Sequence, residues 1–243
     1  MNEVGYFKQK IESFKPSYAP FVPFKVTFKL LTPIALSHPW LALDGIIAHL
    51  LLMSILGDDF FITPKKLNLF RYTSLPLPLK KTGGIYHASV SQFSPPSSLK
   101  LTYLYKRFEP DYTLSLRKKK VDIGRGHFRY FKLSRPYLPV AEVTFYGCGD
   151  IEFIEGLLEG LVGLGDEVRV GFGLIAHYTI EESGEDFSLV KDGVAMRPIP
   201  TSMCESYEMQ MPLAYRPPYW DPQNVTLCVP PGARCALKKS LLP

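Results

Sequence analysis

Residues 164–175 read LGDEVRVGFGLI, with three glycines set between an apolar, helix-like segment and a strand-like one. Glycine tolerates positive φ angles and has no side chain, so a backbone can lie close against another group here. Bare amide groups beside a single arginine, Arg169, suit a phosphate chain. A helix end followed by a tight turn into a strand is the simpler alternative. The sequence alone leaves both interpretations open.

Upstream of this glycine loop, strand-like and helix-like patterns alternate. Residues 24–31 alternate apolar and polar side chains, which predicts a strand with one buried face. Residues 43–56 are apolar on nearly every side and predict a buried helix that ends at Gly57. Asp44 is expected to act as its N-terminal cap or first-turn acid. Residues 85–93 alternate again and predict a second strand.

The remaining elements complete a recognisable order. Residues 99–108 and 142–146 predict strands, and 174–180 predict the last one. Asp150 is expected to cap a helix over 151–162, where apolar residues recur at helical spacing. The order strand, helix, strand, long insert, strand, helix, strand predicts an α+β fold with ferredoxin-like βαββαβ topology.

This order also predicts the domain organisation. A ferredoxin-like domain should span residues 1–180 and carry a basic insert at about 94–140. Residues 181–243 are rich in proline and polar residues, and we expect an irregular C-terminal extension there.

Positive charge is concentrated in the insert. The net charge of the chain is +5, but eleven basic and three acidic residues give residues 94–140 a charge of +8, which leaves −3 for the rest. Basic side chains neutralise phosphates, and interleaved aromatic rings offer faces on which unpaired bases stack. The alternative is a solvated charged surface. The candidate RNA-binding residues here are Arg117, Lys118, Lys119, Lys120, Arg125, His127, Arg129, Tyr130, Lys132 and Arg135.

A ferredoxin-like unit whose second helix leads into Gly165, five residues and then GFG at 171–173 resembles the CRISPR repeat-associated mysterious protein (RAMP) superfamily. The motif as a whole is RAMP-like rather than RRM-like, because in an RRM the similar RNP motif precedes the second helix. Further pieces are similar to the small subunit of type IV CRISPR effector complexes that belongs to the fifth Cas family. They are TPIAL at 32–36, LDGIIA at 43–48, LPL at 77–79 and YHAS at 86–89. The resemblance covers roughly residues 24–180.

The resemblance implies a function and partners. A protein of this kind caps the five-prime handle of the guide RNA (crRNA), contacts the backbone-forming subunits and the large subunit, and inserts a thumb-like excursion against the RNA. Residues 99–135 occupy the place of that thumb. Target DNA near the protospacer-adjacent motif (PAM) is a further partner that this role implies. Additional candidate RNA-binding residues are Gly165, Arg169, Gly171, Phe172, Gly173, His38, His87 and Ser89.

Catalysis is the main alternative. Relatives in the superfamily cleave RNA with histidine, tyrosine or lysine as acid and base, and His87 lies near Tyr86, Ser89 and two lysines. We nevertheless expect a non-catalytic RNA-binding subunit, because no convincing acid–base pair is present. A metal-independent endoribonuclease that processes repeat RNA is the second hypothesis, with His87 as its catalytic residue. A structural or DNA-contacting partner with a basic loop is the third.

The amino-acid composition excludes several classes of protein. With 46% apolar and 21% charged residues, the chain should be folded and globular. Its longest apolar run, at 41–56, is shorter than the roughly 20 residues that span a bilayer. We therefore expect a cytoplasmic protein without a membrane partner. The absence of a carboxylate cluster predicts no metal or cofactor, and the cysteines, Cys148, Cys204, Cys228 and Cys235, are expected to be buried free thiols.

Overall fold

The computed structural model describes residues 3–62, 75–108, 122–126 and 128–239. The helices are α1 (Glu3–Ser13), α2 (Leu43–Leu56), α3 (Asp59–Ile62) and α4 (Ile151–Leu158). The strands up to residue 182 are β1 (Val22–Leu30), β2 (Ile34–Ala35), β3 (Lys81–Thr82), β4 (Ile85–Tyr86), β5 (Gln92–Ser94), β6 (Lys100–Lys106), β7 (Phe131–Leu138), β8 (Glu142–Gly149) and β9 (Ile175–Glu182). The later strands are β10 (Val190–Lys191), β11 (Val194–Ala195), β12 (Ile199–Pro200), β13 (Cys204–Tyr207), β14 (Met211–Ala214), β15 (Val225–Val229) and β16 (Cys235–Leu237).

The largest sheet has four strands in the order β5-β8-β1-β9, and each neighbouring pair is antiparallel. Alternate side chains of a strand point to one face, and in β1 these are Phe24, Val26 and Phe28, all buried. They belong to one core cluster with apolar residues of α2 and α4. The protein is therefore α+β with mostly antiparallel sheets, as predicted.

Strong periodic patterns predicted their elements well. The predicted helix over 43–56 matches α2, and the strand predicted over 24–31 matches β1 within two residues. Asp150 caps α4 as predicted, because its side chain accepts a hydrogen bond from the Phe153 amide at 3.0 Å. This helix ends at Leu158 instead of residue 162, because the Leu161 amide turns back to the Leu158 carbonyl.

The strand predicted over residues 85–93 is broken into β4 and β5. The amide of Ala88 bonds to the carbonyl of Tyr86 at 2.9 Å, a three-residue turn that interrupts the extended chain. The segment still runs beside β8, because the amide of Ser89 donates to the carbonyl of Tyr146.

Strands β6 and β7 form an antiparallel hairpin within the basic insert, and β2 pairs with the other edge of β7. The sequence patterns predicted β6 but no strand at β7. Residues 181–243, expected to be irregular, contain seven short strands, β10–β16, and most of a second apolar cluster, which also includes Ile85 of β4. None of the helices within the described ranges is long and apolar enough to cross a membrane.

The later strands are joined to α2 by a buried ion pair. Asp44 accepts a hydrogen bond from the Arg197 guanidinium at 3.0 Å and one from the Tyr219 hydroxyl at 2.6 Å. Asp44 is thus a first-turn acid but not the cap, which is Ala42 without a side-chain bond. Burial and the neighbouring Asp44 carboxylate hold the pKa of Tyr219 well above its usual value.

Candidate nucleic-acid interface

One face of the β6–β7 hairpin presents exposed tyrosines. Tyr103 and Tyr105 are 47% and 60% exposed, and they project from the same side of β6 because alternate residues of a strand share a face. Lys132 of β7 lies directly opposite Tyr105, so its side chain is on this face as well. We call the exposed surface formed by Leu101, Tyr103, Tyr105 and Lys132 the tyrosine face.

Cations lie against these rings. The Lys132 Nζ is 4.3 Å from the centroid of the Tyr103 ring, and the Arg107 guanidinium carbon is 5.6 Å from that of Tyr105. Both distances fall within the range of cation–π contacts. Residues 100–108 and 128–138 contain six basic residues and no acidic one. The tyrosine face therefore combines aromatic surface with an excess of basic over acidic residues.

The opposite face of the hairpin is anchored to the glycine loop. Arg135 donates from Nε to the carboxylate of Glu167 at 2.5 Å, and the ring of Tyr137 lies 6.1 Å from that of Phe172. The loop also contacts β2, since the amide of Asp166 donates to the carbonyl of Ala35 at 2.8 Å. These contacts leave the tyrosine face directed away from the loop.

The amides of the glycine loop are used inside the protein. Those of Gly171, Phe172 and Gly173 donate to the carbonyls of Val168, Glu167 and Pro33, respectively. This differs from the prediction that these amides are bare and available to a phosphate.

Packing explains two of the glycines. A Cβ on Gly173 would lie 1.9 Å from the Leu164 carbonyl oxygen, and one on Gly165 would lie 2.5 Å from that of Ala35. Gly171 has open space around it but a φ of +98°, which favours glycine. Turn geometry therefore accounts for the GFG motif. Arg169, exposed on the short 3-10 helix Val168–Val170, is the cation of the loop.

The other candidate RNA-binding residues differ in their exposure to solvent. Arg125, Arg129, Tyr130, Lys132 and His38 are exposed, although Arg125 is paired with Asp122 at 3.0 Å. Arg135 is half-buried and paired with Glu167. The candidates Arg117, Lys118, Lys119, Lys120 and His127 lie outside the described residues.

The hairpin and the glycine loop both lie in a segment that matches a known family. The family model of CRISPR type IV associated protein Csf3 matches residues 99–231, more than half of the chain. The chain belongs to this family. No curated protein matches it. The Csf3 match includes most of residues 181–243, which the resemblance left out, and excludes the pieces at 32–89 on which the type IV resemblance depended.

His87 lies N-terminal to the Csf3 match and is buried, with 4% of its surface exposed. Its Nδ1 lies 2.6 Å from the Asp186 carboxylate, and its Nε2 lies 2.8 Å from the Thr82 hydroxyl. Burial would raise the pKa of Asp186, but hydrogen bonds from His87 and Ser188 hold it below its usual value. Both ring nitrogens of His87 are thus occupied within the protein.

Ser89 is also enclosed. It is fully buried, its hydroxyl donates to the Val90 carbonyl, and its oxygen accepts the Tyr146 amide at 2.8 Å. Buried polar groups paired in this way stabilise the fold and present nothing to a ligand. The four cysteines are buried free thiols, as predicted. Across the part of the chain that the structure describes, no three metal-binding side chains converge.

Tyr103, Tyr105 and Arg107 were not among the site residues predicted from the sequence. Their signal was the run LTYLYKR at 101–107, in which two tyrosines alternate with other residues ahead of two cations. A strand buried on one face shows the same alternation, so the pattern alone could not tell a core strand from an exposed one.

Proposed function

We propose that the protein is a non-catalytic RNA-binding subunit of a type IV CRISPR ribonucleoprotein effector complex. Csf3 family membership implies a component of such a complex. The finer proposal is that the subunit caps the five-prime handle of the crRNA and contacts the backbone and large subunits. The observation that carries it is the tyrosine face, where exposed rings and cations lie together without acidic residues.

We also propose that residues 1–180 form a ferredoxin-like RAMP domain of the fifth Cas family, with residues 181–243 as an extension. Strands β1, β5, β8 and β9 correspond to the first, second, third and fourth strands of the predicted βαββαβ unit. Across the largest sheet these four strands lie in the order 2-3-1-4. The helices α2 and α4 follow the first and third of these strands, which is the βαββαβ sequence of elements. The apolar cluster of the later strands also includes Ile85 of β4, so the extension packs against the domain.

The burial of His87 supports the non-catalytic proposal over an endoribonuclease. A general base must come within hydrogen-bond distance of the proton that it removes, and both nitrogens of His87 already have partners. Incubation of the protein with its repeat RNA in a chelator tests this. We expect intact RNA; cleavage that is lost in His87→Ala would favour the endoribonuclease.

Handle recognition has its own test. We would measure the affinity of the protein for crRNA and for an RNA of equal length with a scrambled five-prime handle. The proposal predicts tighter binding of the crRNA, and an Arg129→Ala/Lys132→Ala protein should lose affinity for it. A Lys15→Ala/Lys239→Ala protein removes two exposed charges elsewhere and serves as the control. Equal affinity for the two RNAs would contradict handle capping, and tighter binding of DNA of the same sequence would favour the DNA-contacting alternative.

A further inference from the structure

We infer that the tyrosine face binds unpaired nucleotides by stacking one base on Tyr103 and another on Tyr105, with Lys132 and Arg107 beside their phosphates. This inference rests on the proposed RNA-binding function and specifies the state of the RNA that the site accepts. It concerns a surface outside the glycine loop and the lysine run.

The two rings are exposed enough for a base to reach them. The opposite face of the hairpin is held against the glycine loop through Arg135 and Tyr137, whereas Tyr103 and Tyr105 are about half exposed or more. Burying aromatic rings is favourable, so two exposed rings on one strand are a cost unless a ligand covers them. Every base has a flat π face, so such stacking tolerates many sequences.

Charge identifies the ligand. An exposed apolar face without charge would suit another protein, but here the cations of Lys132 and Arg107 touch the two rings. A base stacked on either ring would bring its own phosphate close to one of these cations. Residues 100–108 and 128–138, which include both strands of the hairpin, contain no acidic residue that would repel a polyanion.

Spacing favours a single strand over a duplex. Alternate residues of a strand lie roughly 7 Å apart, and this separates Tyr103 from Tyr105. Successive bases in a DNA duplex rise only about 3.4 Å and stack on each other. Neighbouring bases can therefore meet both rings only if the strand is unpaired and its bases are splayed apart, which is how proteins commonly read RNA.

The test is a binding titration of the full-length protein with a single-stranded RNA, its duplex form and the crRNA, repeated at several salt concentrations. The variants are Tyr103→Ala, Tyr105→Ala, both Tyr→Phe forms and Lys132→Ala. Tyr207→Ala, which removes a tyrosine that is 43% exposed on β13, is the matched control.

We expect each Tyr→Ala change to weaken single-strand binding about 5- to 150-fold, with Tyr→Phe close to the parent, because stacking needs the ring and not the hydroxyl. The salt slope should stay unchanged in the tyrosine variants and fall by about 0.7 in Lys132→Ala, since the slope counts neutralised phosphates. The duplex should bind less tightly than the single strand and respond little to the tyrosine changes.

Three results would overturn the inference. In the first, Tyr103→Ala and Tyr105→Ala leave the affinity for single-stranded RNA unchanged. In the second, these variants lose as much affinity for the duplex as for the single strand. In the third, they keep their RNA affinity but no longer enter the complex. The last would assign the face to a protein partner. A protein that binds any single strand through its tyrosines without preferring the crRNA would instead uphold stacking and refute handle capping.

Discussion

Replacement of Arg197 by methionine should destabilise the protein more than any surface change. The guanidinium is 1% exposed and donates to the Asp44 carboxylate, the Tyr219 hydroxyl and three backbone carbonyls, those of Tyr86, Ala88 and Tyr215. Methionine fills much of the volume but donates nothing, so the Asp44 charge stays buried without its partner. The change therefore removes an ion pair and the donors of three carbonyls together.

Removing one partner of a buried pair costs about 3–5 kcal/mol, because the remaining charge is uncompensated. Each buried carbonyl that loses its donor adds roughly 1 kcal/mol, although relaxation recovers part of this. We expect Arg197→Met to lower the free energy of unfolding by about 5 kcal/mol, the upper end of the range for a broken buried pair. A loss of this size is comparable to the whole stability of many domains. Arg197→Lys keeps the charge but loses the planar fork, so it should cost less and remain folded.

Urea unfolding followed by circular dichroism measures these losses, provided that the m-value stays constant. Arg234→Met, at an exposed arginine, is the control and should change stability by less than about 0.5 kcal/mol. In a double-mutant cycle, Asp44→Asn and Arg197→Lys should couple, since the two side chains touch. A loss below about 1 kcal/mol for Arg197→Met, or strict additivity in the cycle, would refute the reasoning.

Three further changes give separate tests. Gly173→Ala should prevent stable folding, because its Cβ would strike the Leu164 carbonyl. The Cβ of Gly171→Ala meets no atom, so this change should cost only about 1 kcal/mol of stability from its positive φ. Melting curves that rank the two variants the other way would contradict this. Replacing Lys118–Lys120 with alanine should weaken binding of every RNA and reduce the salt slope by about 0.7 per lost phosphate contact, and an unchanged slope would count against these contacts. Folding lowers the pKa of Asp186, so its contribution to stability is present above the ordinary carboxyl pKa and is lost as the pH falls through the folded pKa. Asp186→Asn should therefore reduce the loss of stability below about pH 4. An unchanged dependence of stability on acid pH would argue against this. 

The sequence was sufficient wherever one local pattern dominated. Helix α2 is apolar on nearly every side and mostly buried, and Asp150 is followed by the apolar spacing of α4, so both were predicted. The break between β4 and β5 was not, because it depends on a turn at Ala88 and on bonds to β8 that no local period encodes. The pairing of Asp44 with Arg197 joins residues 153 positions apart, which no motif signals.

The residues of the candidate site were likewise only partly predictable from the sequence. Composition alone establishes the excess of basic residues in the insert, and the polyanion contact inferred from it stays a prediction. The residues of the tyrosine face could not be chosen from the sequence, because their alternation is also that of a half-buried strand. Only the contacts of Arg135 and Tyr137 with the glycine loop establish which face of the hairpin is covered.

These contacts give the glycine loop a different role from direct phosphate binding. Glu167 has a φ of +60°, a conformation that non-glycine residues rarely adopt, and its carboxylate holds Arg135 on β7. Asp166 bonds to β2, which pairs with β7, and Phe172 lies beside Tyr137 on the same strand. Glu167 and Phe172 thus contact β7 directly, and Asp166 contacts the strand that pairs with it. The glycines permit the tight backbone that brings these side chains together, and the loop thereby sets the direction in which the tyrosine face points.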